Sequence, residues 1–380
     1  MTSLFYELVQ VAIGTRAKLS YTPSAADWYD AYAQSKKQAI VGISFYGIHR
    51  VYSADPEQTL NLPEKLKIKW MADALAIQSR NETLNLQCRQ IQDLFFESGF
   101  HSTILKGQGV ASYYNKDISS FRQPGDIDLW VDGSWRDVMM YVNSRTPNRE
   151  FDRKHTHMNI FSDTIVEVHW WPSMAINPLY KKSVQSYYRE QVSKQCAHQI
   201  TLSDGVKIYA PDAKFETIHV LYHIFNHFLY EGIGLRQFMD LYSVLVNGSL
   251  NDVDRKEILC TAERVGLVSF VPAVMWVLSY VFAMPDEFRV GSKDEKLGSV
   301  LLKEMEDSGN FGAYSKENKA VNESFAHRMK RRFKRRIRLI RFNPLGVFFS
   351  PFTKVRTLLW KRKVIKIYNL QFGLWKNSQC

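Results

Sequence analysis

Residues 125–131 read Gly-Asp-Ile-Asp-Leu-Trp-Val, with acids at alternate positions of an otherwise apolar run. That pattern has the period of a β-strand and predicts one over 127–131. Successive strand side chains face opposite ways, so Asp126 and Asp128 share one face, about 7 Å apart at their Cα atoms. Two carboxylates so placed repel unless a cation lies between them. Hard oxygen donors at this spacing suit Mg²⁺, which keeps several waters and takes further ligands from phosphates.

The flanking sequence extends the pattern. Ser-Thr-Ile-Leu at 102–105 predicts a short strand that runs into Lys106-Gly107-Gln108-Gly109 and then a helical stretch over 110–114. Glycines in such a turn let backbone N–H groups approach a phosphate at a helix start. Gly133-Ser134 leads into an amphipathic helix over 135–143. Residues 157–161 and 165–170 predict two further strands, with Ser162-Asp163 as the hairpin turn. The second of these carries Glu167 and could run beside the aspartate strand. Three carboxylates on adjacent strands are what a two-metal phosphoryl or nucleotidyl transfer needs.

The rest of the chain has helical periodicity. Residues 1–98 read as helices, with Ser24 and Asp27 as one helix start and Pro63 opening a long run closed by Gly99. From Pro211 the spacing of Phe215, Ile218, Leu221, Tyr222, Phe225 and Leu229 predicts a buried helical face, broken at Gly232 and Gly234. Helices follow over 235–246 and 256–265. Residues 265–284 carry no charge and are long enough to span a bilayer, but Pro272, Ser269 and Ser279 within them favour a buried helix. Residues 286–325 are polar and read as loop. The expected division is a helical region at 1–99, a mixed core at 100–210, a second helical region at 211–325 and a basic tail at 326–380.

Charge divides the same way. The 380 residues carry a net charge of +12, yet the stretch after Glu323 contains many Lys and Arg and no acid. Acids outnumber Lys and Arg in the part up to Glu323, so the body is mildly acidic and repels RNA. Residues 328–341 hold nine basic residues in fourteen, with Phe333, Ile337 and Ile340 at helical spacing. A basic amphipathic helix of this kind, followed by aromatic and aliphatic residues, fits an anionic membrane surface through residues 328–366 better than nucleic acid. Four scattered cysteines with no paired spacing argue against a zinc site or a disulfide framework and fit a reducing cytoplasm. The expected location is cytoplasmic, at or near the inner face of the membrane.

Gly-x-Gly after a strand, then Asp-Ile-Asp, then a later Val-Glu-Val strand resembles the polymerase-β-like nucleotidyltransferase superfamily. More narrowly, LKG, the Tyr113-Tyr114 pair, GDIDLWV, VEVHW and the later GLRQFMDL resemble its bacterial uncharacterised nucleotidyltransferase branch, over roughly residues 24–285. The resemblance implies an α+β fold: a polymerase-β-like core with a mixed sheet, flanked by N- and C-terminal helical regions. It implies that Asp126, Asp128 and Glu167 hold two Mg²⁺ ions, and that Lys106, Gly107, Gln108, Gly109 and Arg122 contact an NTP. The chain departs from the pattern at Gln108, where glycine or serine is usual, and in the longer gap between Gln108 and Asp126.

Histidines form two further groups. His155 and His157 alternate on a strand expected to pair with the one bearing His169, and ordinary hydrogen-bonded roles outweigh a zinc site that lacks a fourth ligand. His219, His223 and His227 fall on one helical stripe spanning about 12 Å, too long for all three to share one ion. His157, His169 and His227 are the candidate substrate contacts. Arg236 and Asp240, four apart, are expected to pair with each other. The expected function is Mg²⁺-dependent transfer of a nucleoside monophosphate from an NTP to an unidentified small molecule or protein, releasing pyrophosphate. The rival is a non-catalytic interaction protein that uses a degenerate version of the fold to bind a membrane surface or nucleic acid.

Overall fold

A computed structural model describes residues 3–54, 60–146, 150–175, 177–314, 339–342, 344 and 357–366. The predicted amphipathic helix at 328–341 falls almost wholly outside the described residues.

Three helices open the chain: α1 (Leu4–Ile13), α2 (Ala25–Lys37) and α3 (Val41–Ala54). Ser24 and Asp27 form a reciprocal capping box at the start of α2. Gly47 lets α3 lie directly on α1, because a Cβ there would stand 2.2 Å from the Leu8 carbonyl oxygen. The long α4 (Glu64–Glu97) starts after Pro63 and ends before Gly99, which takes a left-handed φ of 82°.

The mixed module follows. Its strands are β1 (Ser102–Leu105), β2 (Ile127–Val131), β3 (His155–Met158) and β4 (Val166–His169). They form one sheet in the order β1-β2-β4-β3. β2 and β4 run parallel, and the two outer pairs are antiparallel. Short helices α5 (Gly107–Ala111) and α6 (Lys116–Ser119) lie between β1 and β2, and α7 (Trp135–Arg145) follows β2.

Strand alternation gives the sheet two chemically different faces. Ile104, Ile127, Leu129, Val131, Met158, Val166 and Val168 are buried with Cys88, Ile91 and Phe95 of α4 and Val138, Met139 and Val142 of α7. The opposite face carries Asp128, Glu167 and the histidines toward the C-terminal helices. Burying one face fixes the register, since a one-residue slip would drive the carboxylates into the apolar layer.

Two elements were not anticipated: α8 (Lys181–Ala197) and a hairpin of β5 (Gln199–Thr201) with β6 (Lys207–Tyr209). The helical remainder comprises α9 (Ala213–Tyr230), α10 (Leu235–Asn247), α11 (Asp252–Arg264), α12 (Val271–Phe282) and α13 (Glu295–Ser308). Helix α13 corrects the loop reading of 286–325. Asp294 caps its start, and Leu301 and Met305 are buried one turn apart beneath a polar outer face. The uncharged run at 265–284 forms the buried α12, and no helix among the described residues is long and apolar enough to cross a membrane.

Helices from both ends of the chain share one core. Gln10 donates to the Val281 carbonyl at 2.9 Å, Gln38 donates to the Met305 carbonyl at 3.1 Å, and Tyr6 donates to Glu306 at 2.6 Å. Part of the basic stretch also packs inward. Trp360 sits against Trp135, Phe151 and Trp170, and Val364 is buried in the core beneath the sheet. These two side chains, within the segment expected to face a membrane, pack against the module.

Candidate active site

The carboxylates meet because β2 and β4 are parallel neighbours in one register. Asp128 pairs directly with Glu167, and Glu167 pairs in turn with His157 on β3. Asp126, just before β2, is exposed at the mouth, whereas Asp128 is buried. One oxygen from each of Asp126, Asp128 and Glu167 can be chosen so that all lie within 4.8 Å of one another. This all-oxygen donor set fits a divalent cation of the Mg²⁺ type.

Two neighbouring side chains already engage the buried Asp128. The Lys106 ammonium lies 3.0 Å from Asp128 Oδ2, and His169 Nε2 lies 3.0 Å from Asp128 Oδ1. Burial opposes ionisation of Asp128, but Lys106 and then His169 hold its pKa well below the ordinary range. Asp126 moves the other way. The Asp128 charge, and then desolvation, push its pKa up. Burial also works against the Lys106 ammonium, yet Asp128, Asp126 and Glu167 raise its pKa.

Lys106 is held by an unusual backbone. Its φ of 52° is left-handed, which a side chain with a Cβ seldom adopts. Its N–H donates to Glu216 Oε1 of α9 at 2.7 Å. That bond turns the chain at the end of β1 so that the ammonium enters the cleft. Strain of this kind persists only where the surroundings enforce it.

The cleft has a volume of about 590 Å³ between the polar sheet face and helices α9 and α10. Lys106, Gly107, Arg122, Asp126, Asp128, Glu167, His155 and His227 line it. Gln108 and Gly109 lie elsewhere. The Gln108 side chain donates to Asn85 of α4 in a separate cavity. Gly109 permits close packing of α5 on β1, since a Cβ there would stand 2.6 Å from the Ile104 carbonyl oxygen. Arg122 is 3% exposed and grips Asp240 with two bonds, 2.7 Å and 2.8 Å. Asp240 also accepts from Tyr114 at 2.7 Å. The expected Arg236–Asp240 pair is therefore corrected. Arg122, from the loop before β2, takes Asp240, and Arg236 instead donates to the Gln123 and Pro124 carbonyls, each at 3.3 Å. Buried Arg236 Nε makes no hydrogen bond among the described residues, and the guanidinium lies 5.5 Å from the Phe311 ring.

Among the histidines, His157 bonds Glu150 at 2.9 Å, and His227 bonds Glu231 at 2.8 Å. His219 and His223 line the inner wall of the cleft, where burial and then the Lys106 charge hold both well below the ordinary histidine pKa. Both ring nitrogens of His219 are buried without hydrogen-bond partners among the described residues.

Glu216 was missed from the sequence, although it lies on the same α9 stripe as His219 and His223. A lone acid beginning a histidine stripe on an otherwise apolar helix was the available signal. Burial pushes its pKa up to about 8, only partly offset by the Lys106 N–H. In the unfolded chain a glutamate titrates at about 4.3. Between those values the folded chain keeps a proton that the unfolded chain has released. The stabilisation is thus complete below the unfolded pKa and is lost as pH rises toward about 8. Glu216→Gln preserves an acceptor for the Lys106 N–H and removes the titration. Urea denaturation should show this variant gaining on the wild type by on the order of 3 kcal/mol between about pH 5 and pH 8. A difference independent of pH across that window would refute the assignment.

Comparison with known proteins places the chain at the level of family. No curated protein matches the sequence. A solved structure that the chain matches is that of an antigenic nucleotidyltransferase-like protein from Paracoccidioides brasiliensis. That match has 13% identity and a TM-score of 0.29, and covers 58% of this chain and 95% of the other. The uncharacterised nucleotidyltransferase family matches residues 24–283, a span that contains the sheet, the carboxylates and the α9–α10 wall of the cleft. The chain belongs to that family of uncharacterised nucleotidyltransferases.

Proposed function

We propose that the chain transfers a nucleoside monophosphate from an NTP to a hydroxyl-bearing small molecule or protein, with pyrophosphate leaving. The observation that carries this reading is the convergence of Asp126, Asp128 and Glu167 at one end of a cleft that also contains the Lys106 ammonium. The three carboxylates would hold divalent metal, which supplies Lewis-acid polarisation and charge neutralisation for a triphosphate.

The side chains divide the remaining work. Lys106 is anchored through its own N–H, so its ammonium can favour a phosphate oxygen without a search for position. Asp126, whose pKa is raised, is the most exposed of the three acids, which suits it to meet an acceptor hydroxyl. Arg122 acts from beneath, fixing the loop that leads into β2. Arg236 presents its guanidinium to the cleft and is a better candidate than Arg122 for contact with substrate.

The test supplies NTPs labelled at the α- or the γ-phosphate, together with Mg²⁺ and cell extract. The expected result is that α-label enters a stable product while γ-label leaves as pyrophosphate. Transfer of γ-label would instead indicate a kinase, and absence of any transfer or NTP binding would overturn the reading.

A further inference from the structure

Glu167 has a second side. Beyond the oxygen-lined group, it faces two imidazoles. Donor atoms from His155, Glu167 and His169 can be chosen within 4.8 Å of one another. The β3–β4 register sets His155 directly opposite His169, with Glu167 two residues earlier on the same face of β4. Paired backbones therefore hold all three side chains.

Hydrogen-bond chemistry identifies the tautomer of His169. Its Nδ1 lies 3.2 Å from the Trp171 carbonyl oxygen. A carbonyl oxygen only accepts, so Nδ1 carries the hydrogen, and Nε2 carries a lone pair whenever the ring is neutral. That lone pair is aimed at Asp128 Oδ1 at 3.0 Å and Glu167 Oε2 at 3.2 Å. Ionised carboxylates are acceptors as well. His155 Nδ1 reaches the same Glu167 oxygen at 3.2 Å, is buried and has no hydrogen-bond partner among the described residues. With His169 neutral, the donor atoms of His155, Glu167 and His169 converge with no positive charge of the described residues between them. Donation of the far ring N–H to a backbone carbonyl is also the usual outer contact of a metal-bound histidine.

We propose that His155, Glu167 and His169 bind one first-row transition-metal dication, such as Mn²⁺, Fe²⁺, Co²⁺ or Zn²⁺, at a position adjoining the oxygen-lined one and sharing Glu167 with it. Two imidazoles and one carboxylate favour such ions over Mg²⁺, which prefers oxygen. The site exists without nucleotide, so it stands independently of the proposed transfer reaction.

Co²⁺ is the probe, titrated into the full chain without nucleotide and in large excess of Mg²⁺ to saturate the oxygen donors. One equivalent should bind and give a visible d–d band distinct from that of the aquo ion. His155→Ala should weaken uptake tenfold or more, and His169→Gln should do the same. Replacing the exposed His101 with Ala should leave uptake unchanged. Circular dichroism checks that each variant is folded, and His155→Ala carries the test alone if His169→Gln is not. A doubly protonated His169 would fill the same gap without metal. In that case no Co²⁺ binds in the presence of Mg²⁺, and the proposal fails. Equal uptake by wild type and His155→Ala also overturns it. Because the readout contains no NTP, loss of Co²⁺ binding and loss of nucleotide transfer are separate results.

Discussion

Asp126→Ala, combined with Asp128→Asn, should abolish Mg²⁺-dependent transfer of α-label, lowering the rate by on the order of 10³-fold or more. Removing metal-borne charge stabilisation costs several kcal/mol of barrier, and every increment of about 1.4 kcal/mol is a factor of ten in rate. The two substitutions differ in their structural cost. Asp126 is exposed, so its replacement leaves the core alone. Asp128 is buried between Lys106 and His169, and its asparagine keeps the shape while removing the charge that Lys106 requires. Asp126→Ala by itself is therefore the cleaner measurement. Retention of at least a tenth of the wild-type rate in the folded double variant would eliminate the carboxylates as the catalytic group.

Asp240→Ala should produce the largest loss of stability of any single change near the cleft, about 3–5 kcal/mol by urea denaturation. The substitution strands a guanidinium that is 3% exposed and removes the acceptor of the Tyr114 hydroxyl. Removing one member of a buried pair is costly because the partner charge stays desolvated. Replacing both, as Arg122→Met with Asp240→Leu, should recover most of the loss. If Asp240→Ala unfolds within about 1 kcal/mol of the wild type, the buried pair does not hold the loop before β2.

Some of the site was legible because it depends on local alternation. Asp126 and Asp128 share a face for the same reason that Ile127 and Leu129 share the other, and Val-Glu-Val-His repeats the rule on β4. The buried α9 face and the box at Ser24 likewise follow from short-range spacing. The loop reading of 286–325 failed because α13 has a long polar outer face, and its apolar contacts become meaningful only once α12 lies beneath them.

Choices between equally good local partners were not legible. Four-residue spacing made Arg236 the natural partner of Asp240, but Arg122 arrives from a distant part of the chain and makes two bonds in a desolvated position. Gln108 looked like part of a phosphate-binding turn, yet α4 passes close enough to take its side chain. Glu216 had no assigned role until the end of β1 came within hydrogen-bond reach.

The sequence by itself determined that an apolar strand would carry two acids on one face, that a third would lie on a later strand, and that helices would flank them. Side-chain period and capping chemistry act over a few residues, so they can be read without the fold. Only the tertiary structure decided that β2 and β4 are parallel neighbours in register, bringing Glu167 beside Asp128 and His169 within reach of both. It also decided which charges are desolvated together. Pairing order and burial arise from contacts between distant segments, and no local spacing encodes them.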